Sequence, residues 1–284
     1  MWKWFKWVLL AVLILAVIGG AMYFLFFKKG GSSSGTGSGG GNGGGSASGS
    51  GEDRGSNVNN TEISWQLNGD GSYQASGTAP ACPSPLVLSA PTDLSKVVSV
   101  LYPGQIRGND YKPHGGFRFP DGANDILVTA PMDATVIDGS RYLVGGEIQY
   151  SFDFENSCGI RYRIGHLRIL SSTFATLAEQ FPAPVEMDSR TTQINSGVKV
   201  KTGDTIATAV GLLGEGNAFF DFGVYDVRQA NEASKDPTFQ STHQSDKSLT
   251  WYAICWFDWL SAADKATVKS LPATSPGSQS DYCK

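Results

Sequence analysis

A segment rich in glycine and serine divides this 284-residue chain into parts that we expect to fold separately. It covers residues 30–59 and begins "GGSSSGTGSGGGNGGGSASGSGEDRG". Such a composition buries too little apolar surface to offset the entropy of ordering the backbone, so we expect a flexible linker. The "GTGSGG" within it matches a dinucleotide-binding pattern only formally, because no strand is predicted before it and no helix after it. The main folded domain is therefore expected within residues 60–284.

Residues 1–29, before the linker, are expected to form a membrane anchor. The run "WVLLAVLILAVIGGAMYFLFF", Trp7–Phe27, is uncharged and about 20 residues long, which is enough for a transmembrane helix. Aromatic residues lie at both of its ends, as in interfacial belts. A cleaved signal peptide is the alternative, but its apolar core is usually shorter and ends at small residues. We therefore predict a single-pass signal-anchor in the plasma membrane, with the C-terminal domain outside the cytoplasm.

The charge balance argues against nucleic acid as a partner. The chain has 22 Lys and Arg residues, 26 Asp and Glu residues and a formal net charge of −4. Four of the lysines belong to the N-terminal segment, at positions 3, 6, 28 and 29. Phosphate binding requires clustered Lys and Arg, and the remaining chain is more acidic than the whole.

The four cysteines indicate an oxidising compartment. They are dispersed and show no CxxC spacing: Cys82, Cys158, Cys255 and Cys283. Zinc sites usually have paired ligands at short spacing, so two disulfides outside the cytoplasm are the preferred interpretation. Four buried free thiols are the alternative. The sequence does not choose among the three possible disulfide pairings.

The pattern from about residue 60 onward predicts a mainly β domain with few helices. Short apolar runs alternate with Gly, Pro, Asn and Asp, as in "DILVTAPMDATVIDG", "GEIQYSFDF", "GIRYRIGHLRIL", "VKVKTGDTIATAVG" and "AFFDFGVYDV". Helical spacing occurs over residues 172–181 and 261–271, and the second segment opens with Ser261 and Asp264 at capping-box spacing. The aromatic run Trp251–Leu260 is expected to belong to the core, although exposed rings could stack on sugars.

Five segments in this order resemble the lysostaphin/LytM-type zinc endopeptidases of peptidoglycan, a family with a duplicated hybrid motif. They are "HGGFR" from His114, "APMDATVI" from Ala130, "YRIGHL" ending at His166-Leu167, "VKVKTGDTIATAVG", and "FFDFGVYD" from Phe219. The resemblance covers a core at about residues 112–226 and leaves residues 227–284 as a C-terminal extension. It implies an antiparallel β-sandwich or barrel-sandwich-like domain, preceded here by one N-terminal transmembrane helix.

The same resemblance implies a degenerate active site. The family holds zinc with a His, an Asp four residues later and the second His of His-x-His. His114 matches the first ligand, whereas Arg118 stands in place of the Asp and Asp221 in place of the last His. Phe219 replaces one catalytic His and His166 matches the other. These five residues are the expected binding cleft, and His166 is the family-matching catalytic candidate.

Arg118 is the substitution that matters most chemically. Zinc accepts a carboxylate such as that of Asp221, but a guanidinium has no lone pair and stays protonated. Asp121 or Asp125 could supply a replacement ligand from within a loop's reach. We therefore expect no metal cofactor, with a zinc site that includes His114 and Asp221 as the alternative. An ion pair between Arg118 and Asp221, in the place of the metal, is the more specific hypothesis, and separate surface positions are its alternative.

Three functions follow as expectations. The first is a membrane-anchored cell-envelope pseudoenzyme that binds peptidoglycan, or a cell-wall hydrolase that it regulates, in the old cleft. The second is an active zinc metalloendopeptidase with a rearranged site. The third is a structural surface module. The sequence does not identify the ligand, the partner or the oligomeric state.

Overall fold

The computed structural model describes residues 62–194, 197–275 and 279–284. The predicted membrane anchor (residues 1–29) and almost all of the linker (residues 30–59) therefore lie outside the described residues. Within the described ranges, no helix is both long enough and apolar enough to span a membrane.

The described chain is mainly β, and every pairing between its named strands is antiparallel. The strands are β1 (Trp65–Leu67), β2 (Tyr73–Ala75), β3 (Ser99–Leu101), β4 (Gln105–Arg107), β5 (Asp110–Lys112), β6 (Gly115–Arg118), β7 (Val128–Thr129), β8 (Ala134–Val144), β9 (Glu147–Asn156), β10 (Ile160–Leu170), β11 (Thr192–Gln193), β12 (Lys199–Val200), β13 (Thr205–Val210) and β14 (Phe219–Asp226).

The helices are short, as the sequence predicted. They are α1 (Ser172–Ala178), α2 (Pro237–Thr242), α3 (Lys247–Thr250) and α4 (Ala262–Ser270), with 3₁₀ turns at Leu94–Lys96, Ala233–Lys235, Gln244–Asp246 and Trp256–Trp259. The Ser261 side chain caps α4 by accepting a hydrogen bond from the Asp264 backbone N–H, which confirms the predicted start of this helix. α2 and α3 were not predicted.

One ten-stranded sheet organises the domain. Its main path runs β11-β8-β9-β10-β14-β6-β3, while β12 pairs with β8 and β13 pairs with both β10 and β7. Two separate two-stranded ribbons are formed by β1 with β2 and by β4 with β5. The five segments that carry the family resemblance all contribute strands to the large sheet.

Alternation along the long strands separates a core face from a polar face. Phe152 and Phe154 on β9, Ile164 on β10, and Phe220 and Phe222 on β14 are fully buried and belong to one hydrophobic core. The residues between them on each strand point to the opposite face, because successive side chains of a strand alternate. On that face the polar residues form ion pairs with each other, including Arg161 with Glu155 and Arg163 with Asp153.

Two disulfides fasten the periphery to this sheet. Cys82 bonds with Cys158 in the turn between β9 and β10, and Cys255 bonds with Cys283 near the C-terminus. The prediction of two disulfides is confirmed, and the structure supplies the pairing that the sequence left open. The described chain contains no free cysteine.

The aromatic run Trp251–Leu260 belongs mainly to the core, as expected. Trp256 and Phe257 are fully buried, and the Trp256 ring packs against Phe117 and Phe222 with centroid distances of 5.0 Å. Trp251 and Trp259 are half-buried. The run therefore joins the C-terminal extension to the sheet instead of forming a row of exposed rings.

Candidate functional site

The site lies on the polar face of the sheet, around the middle of β14. Asp221 pairs in register with Gly165 of β10 on one side and with Gly116 of β6 on the other. A Cβ atom added at Gly165 would lie 3.6 Å from Asp221 Cβ and 3.7 Å from Ser151 Cβ, at ordinary contact distance. A glycine at position 165 thus leaves space beside the carboxylate, and this space is part of a cleft of about 390 Å³.

Two histidines singled out from the sequence converge on one oxygen atom of Asp221, which was also singled out. His114 Nε2 lies 3.1 Å from Asp221 Oδ2, and His166 Nε2 lies 3.6 Å from the same oxygen. Each of the three side chains is about one-fifth exposed, at 18–20%. Arg118 and Phe219 also line the cleft, so all five residues of the expected cleft line one cavity.

The electrostatics of this cluster keep Asp221 ionised. Burial raises the pKa of Asp221, but the charges of His114 and His166, the His114 hydrogen bond and the charge of Arg107 outweigh it and hold this pKa well below its usual range. Burial also lowers the pKa of His166, an effect that Asp221 only partly offsets. At neutral pH the cluster therefore contains an ionised Asp221 beside a neutral His166.

His166 reaches the cleft through an irregularity in β10. Its φ is +59°, in the left-handed region that a residue with a Cβ seldom adopts. The register in which β10 pairs with β9 also shifts between Ile164 and Leu167. Such a bulge re-aims a side chain, and residues held in this way cluster at functional sites. The His166 backbone carbonyl accepts a hydrogen bond of 2.8 Å from the Gly211 N–H, which helps to fix this conformation.

The ion pair predicted between Arg118 and Asp221 is not present. Arg118 pairs in register with Phe219, two residues along β14 from Asp221. Its guanidinium instead approaches Asp121 Oδ1 at 3.7 Å, and the oxygen of Asp221 is approached by the two histidines. The hypothesis that Arg118 takes the place of the metal is therefore wrong, because the register sets Arg118 opposite Phe219 and not opposite Asp221.

The donor set departs from that of the family's zinc site, because Arg118 stands where the family has an Asp ligand and its guanidinium has no lone pair. Within the described residues, no three His, Cys, Asp or Glu side chains are grouped so as to hold a metal ion. Asp121 and Asp125 supply no replacement, since they lie at the surface beside Arg118 and Arg168 respectively.

The second nitrogen of His166 also argues against a metal ligand there. A histidine that binds a metal through Nε2 carries its proton on Nδ1 and donates it to an acceptor. His166 Nδ1 is buried and has no hydrogen-bond partner among the described residues. Metal binding at Nε2 would leave a buried N–H unsatisfied, which is costly. The remaining histidine, His243, packs against the Tyr111 ring at a tilt and lines no part of this cleft.

The cleft has further walls that the sequence analysis did not identify. They comprise Leu101, Arg107, Lys112, Tyr142, Val144, Ser151, Arg163, Met187, Ser189 and Asn217. Arg107 and Lys112 come from the β4–β5 ribbon, whose turn "GN" at Gly108-Asn109 has positive φ at both positions. That dipeptide between two short strands was the signal that could have revealed this hairpin.

A larger cavity, of about 710 Å³, lies along the C-terminal extension. Its lining includes Tyr102, Glu232, Asp236, Phe239 and Lys284 and none of the family-matching residues.

The chain was compared with known proteins in three ways. No protein-family model matches it, no curated protein matches it, and no solved structure matches it.

Proposed function

We propose that this protein is a membrane-anchored component of the cell envelope whose peptidase-like β domain binds peptidoglycan without cleaving it. The observation that carries the proposal is the convergence of His114 Nε2 and His166 Nε2 on Asp221 Oδ2 in an open cleft. Three residues that lie far apart in the sequence, at positions matched to the lysostaphin/LytM-type family, are found together as that fold would bring them.

The chemistry of the cleft supports binding over hydrolysis. Peptide hydrolysis by this family depends on a metal-activated water. Within the described ranges, no group of three His, Cys, Asp or Glu side chains that could hold a metal ion is found. Arg118, at the sequence position of a zinc ligand in the family, adds a positive charge to the cleft. An ionised Asp221 with two imidazoles can still accept and donate hydrogen bonds to amide and hydroxyl groups of a bound peptide or glycan.

The organisation of the rest of the chain is consistent with this proposal. An N-terminal anchor followed by a Gly/Ser linker of about 26 residues or more would give the domain a reach on the order of 25–30 Å from the membrane. The two disulfides fit a domain that works outside the cytoplasm. The antiparallel sheet fits a β-sandwich of the peptidase type.

Co-sedimentation tests the proposal directly. The full chain, purified in detergent micelles, is incubated with purified peptidoglycan sacculi, and bound protein is measured in the pellet. We expect pelleting that is retained in the presence of a chelator, no stoichiometric zinc by elemental analysis, and no release of soluble fragments from the sacculi.

Three other results would contradict the proposal. Stoichiometric zinc together with chelator-sensitive lysis would establish the active metallopeptidase instead. Absence from the pellet, with capture of a cell-wall hydrolase by the pure protein, would favour a regulator of that hydrolase. Absence of both kinds of binding would leave a structural surface module.

A further inference from the structure

The β4–β5 hairpin forms one wall of the cleft and presents two cations to it. The register pairs Gln105 with Lys112 and Arg107 with Asp110, so the side chains of Arg107 and Lys112 lie on the same side of the ribbon. Both line the cleft. Tyr111 lies on the other side, where its ring packs against the C-terminal extension.

Arg107 is held in a fixed orientation without a carboxylate partner. Its Nη1 donates a hydrogen bond of 2.7 Å to the Tyr102 carbonyl, and its Nη2 donates one of 2.9 Å to the His114 carbonyl. These bonds use two of the five N–H donors of a guanidinium. Within the described ranges, no carboxylate lies at salt-bridge distance from Arg107, although Asp221 acts on it from further away. A half-buried cation of this kind can bind an anionic group of a ligand.

Two more cations of the cleft have only weakly held partners. Lys112 Nζ lies 3.1 Å from Asp110 Oδ2, but the Asp110 side chain is 77% exposed. Arg118 lies 3.7 Å from Asp121, whose side chain is 87% exposed. Ion pairs with such exposed carboxylates contribute little, so a ligand can replace either partner at low cost.

The positive charge is not balanced inside the cleft. Asp221 is the one carboxylate on the described lining, against the three cations Arg107, Lys112 and Arg118. Arg163 is neutralised by Asp153, with which it forms two hydrogen bonds. This leaves a concentration of positive charge in a chain whose formal net charge is −4. Such a local reversal of sign favours anionic ligands.

The other walls of the cleft suit an apolar group. Met187 lines the cleft with 74% of its surface exposed, and Phe219 and Leu101 also contribute apolar surface. A ligand that fills the cleft therefore combines an anionic group with a short aliphatic one. A peptide that ends in alanine has this combination, because its methyl group is attached to the carbon that carries the terminal carboxylate.

We propose that Arg107, Lys112 and Arg118 form a subsite for a free carboxylate of a bound peptide. The inference rests on the proposed function and deepens it, because it specifies which chemical group of the peptidoglycan peptide is recognised. The side chains of Lys112 and Arg118 supply positive charge, and Arg107 offers N–H donors from a fixed position. The subsite therefore distinguishes peptides with free carboxylates from those in which the carboxylates are amidated.

The test compares two synthetic peptides on the full chain in detergent micelles. One is a peptidoglycan stem pentapeptide with free carboxylates, and the other is the same peptide with its carboxylates amidated. We expect the amidated peptide to bind about tenfold more weakly in calorimetric titration, as expected for loss of a charge-assisted hydrogen bond. Lys112→Gln and Arg118→Gln should each weaken binding of the free acid by about threefold or more and leave the amidated peptide unaffected.

The controls separate this inference from the proposed function. Lys199→Gln removes an exposed cation that does not line the cleft and should leave both affinities unchanged. Thermal unfolding verifies that each variant is folded. Equal affinity for the two peptides, with retention on sacculi, overturns the carboxylate subsite alone. Absence of binding to sacculi and to both peptides overturns the proposed function together with the subsite. Displacement of the peptide by inorganic phosphate but not by acetate would assign the subsite to phosphate and overturn the carboxylate inference.

Discussion

Tyr111 Oη donates a hydrogen bond of 3.0 Å to Asp281 Oδ2, and this contact joins the cleft hairpin to the C-terminal tail. The tail reinforces the junction through its backbone, because the Asp281 N–H donates to the Gly104 carbonyl at 2.9 Å. Ser280 Oγ donates to the Pro103 carbonyl at 2.6 Å. The disulfide of Cys283 holds the tail in place, so the far end of the chain positions a wall of the candidate site.

Removal of the C-terminal disulfide is expected to loosen this wall. The double substitution Cys255→Ser and Cys283→Ser should lower the free energy of unfolding by about 2–4 kcal/mol, because the unfolded chain loses a cross-link. It should also speed amide hydrogen exchange in residues 105–112. The matched control is Cys82→Ser with Cys158→Ser, which should destabilise the domain without a selective effect on that hairpin. Equal protection of the hairpin in both variants would show that the tail does not position it.

Because the backbone at His166 is left-handed, a glycine variant at this position should be more stable than an alanine variant. This is the reverse of their usual order of stability. Both His166→Ala and His166→Gly remove the imidazole, but only glycine accepts a φ of +59° without strain. We expect the glycine variant to be more stable than the alanine variant by about 1 kcal/mol in denaturant unfolding. A more stable alanine variant would contradict the strained conformation.

Gly165 offers a way to close the cleft without disturbing the core. A Cβ at this position meets its neighbours at 3.6 Å or more, so Gly165→Ala should leave both stability and binding nearly unchanged. Gly165→Leu should extend into the cleft and reduce retention on sacculi by about tenfold or more, through overlap with the ligand. Thermal unfolding and co-sedimentation of the two variants provide the measurement. If a folded leucine variant bound sacculi as strongly as the unsubstituted protein, the binding site would have to lie outside this cleft.

The ionised carboxylate of Asp138 is expected to lower the stability of the folded domain at neutral pH. Burial raises the pKa of this carboxyl, and Asp153, directly opposite on β9, raises it further. Because the pKa of Asp138 is raised in the folded state, its ionisation does not destabilise the domain at a pH below the ordinary pKa. The destabilisation grows as the pH rises through the pKa of the folded state. Asp138→Asn should therefore stabilise the domain at pH 7 by about 0.5 kcal/mol and have no such effect near pH 3.

Asp133 provides a control of opposite sign for this pH dependence. Hydrogen bonds from Lys201 and Thr202 lower the pKa of its carboxyl. This contribution to stability is present above the ordinary pKa and is lost as the pH falls through the lowered value. Asp133→Asn should thus destabilise the domain at pH 7 and not at strongly acidic pH. Both comparisons use chemical unfolding over a pH series, and the same sign for both variants would contradict the assigned pKa shifts.

Much of the β architecture could be predicted from the sequence, because strands are encoded by local alternation. The segments around Phe154, Ile164 and Phe222 alternate apolar and polar residues, and each forms a long strand with its apolar side chains in the core. Ser261 and Asp264 marked a helix start that the structure confirms. The dispersed cysteines predicted two disulfides, and the order of five motifs brought His114, His166 and Asp221 into consideration together.

The contacts within the site were decided by tertiary structure. Register places Arg118 opposite Phe219, and a bulge turns His166 toward Asp221, so the carboxylate meets two imidazoles and not the expected guanidinium. Neither the register nor the bulge produces a periodic pattern in the sequence, because each depends on how one strand is aligned with its neighbour. Arg107 likewise entered the cleft through a short hairpin fastened by the distant C-terminal tail. Sequence thus determined which residues form strands, and the packing of those strands determined which charges face each other.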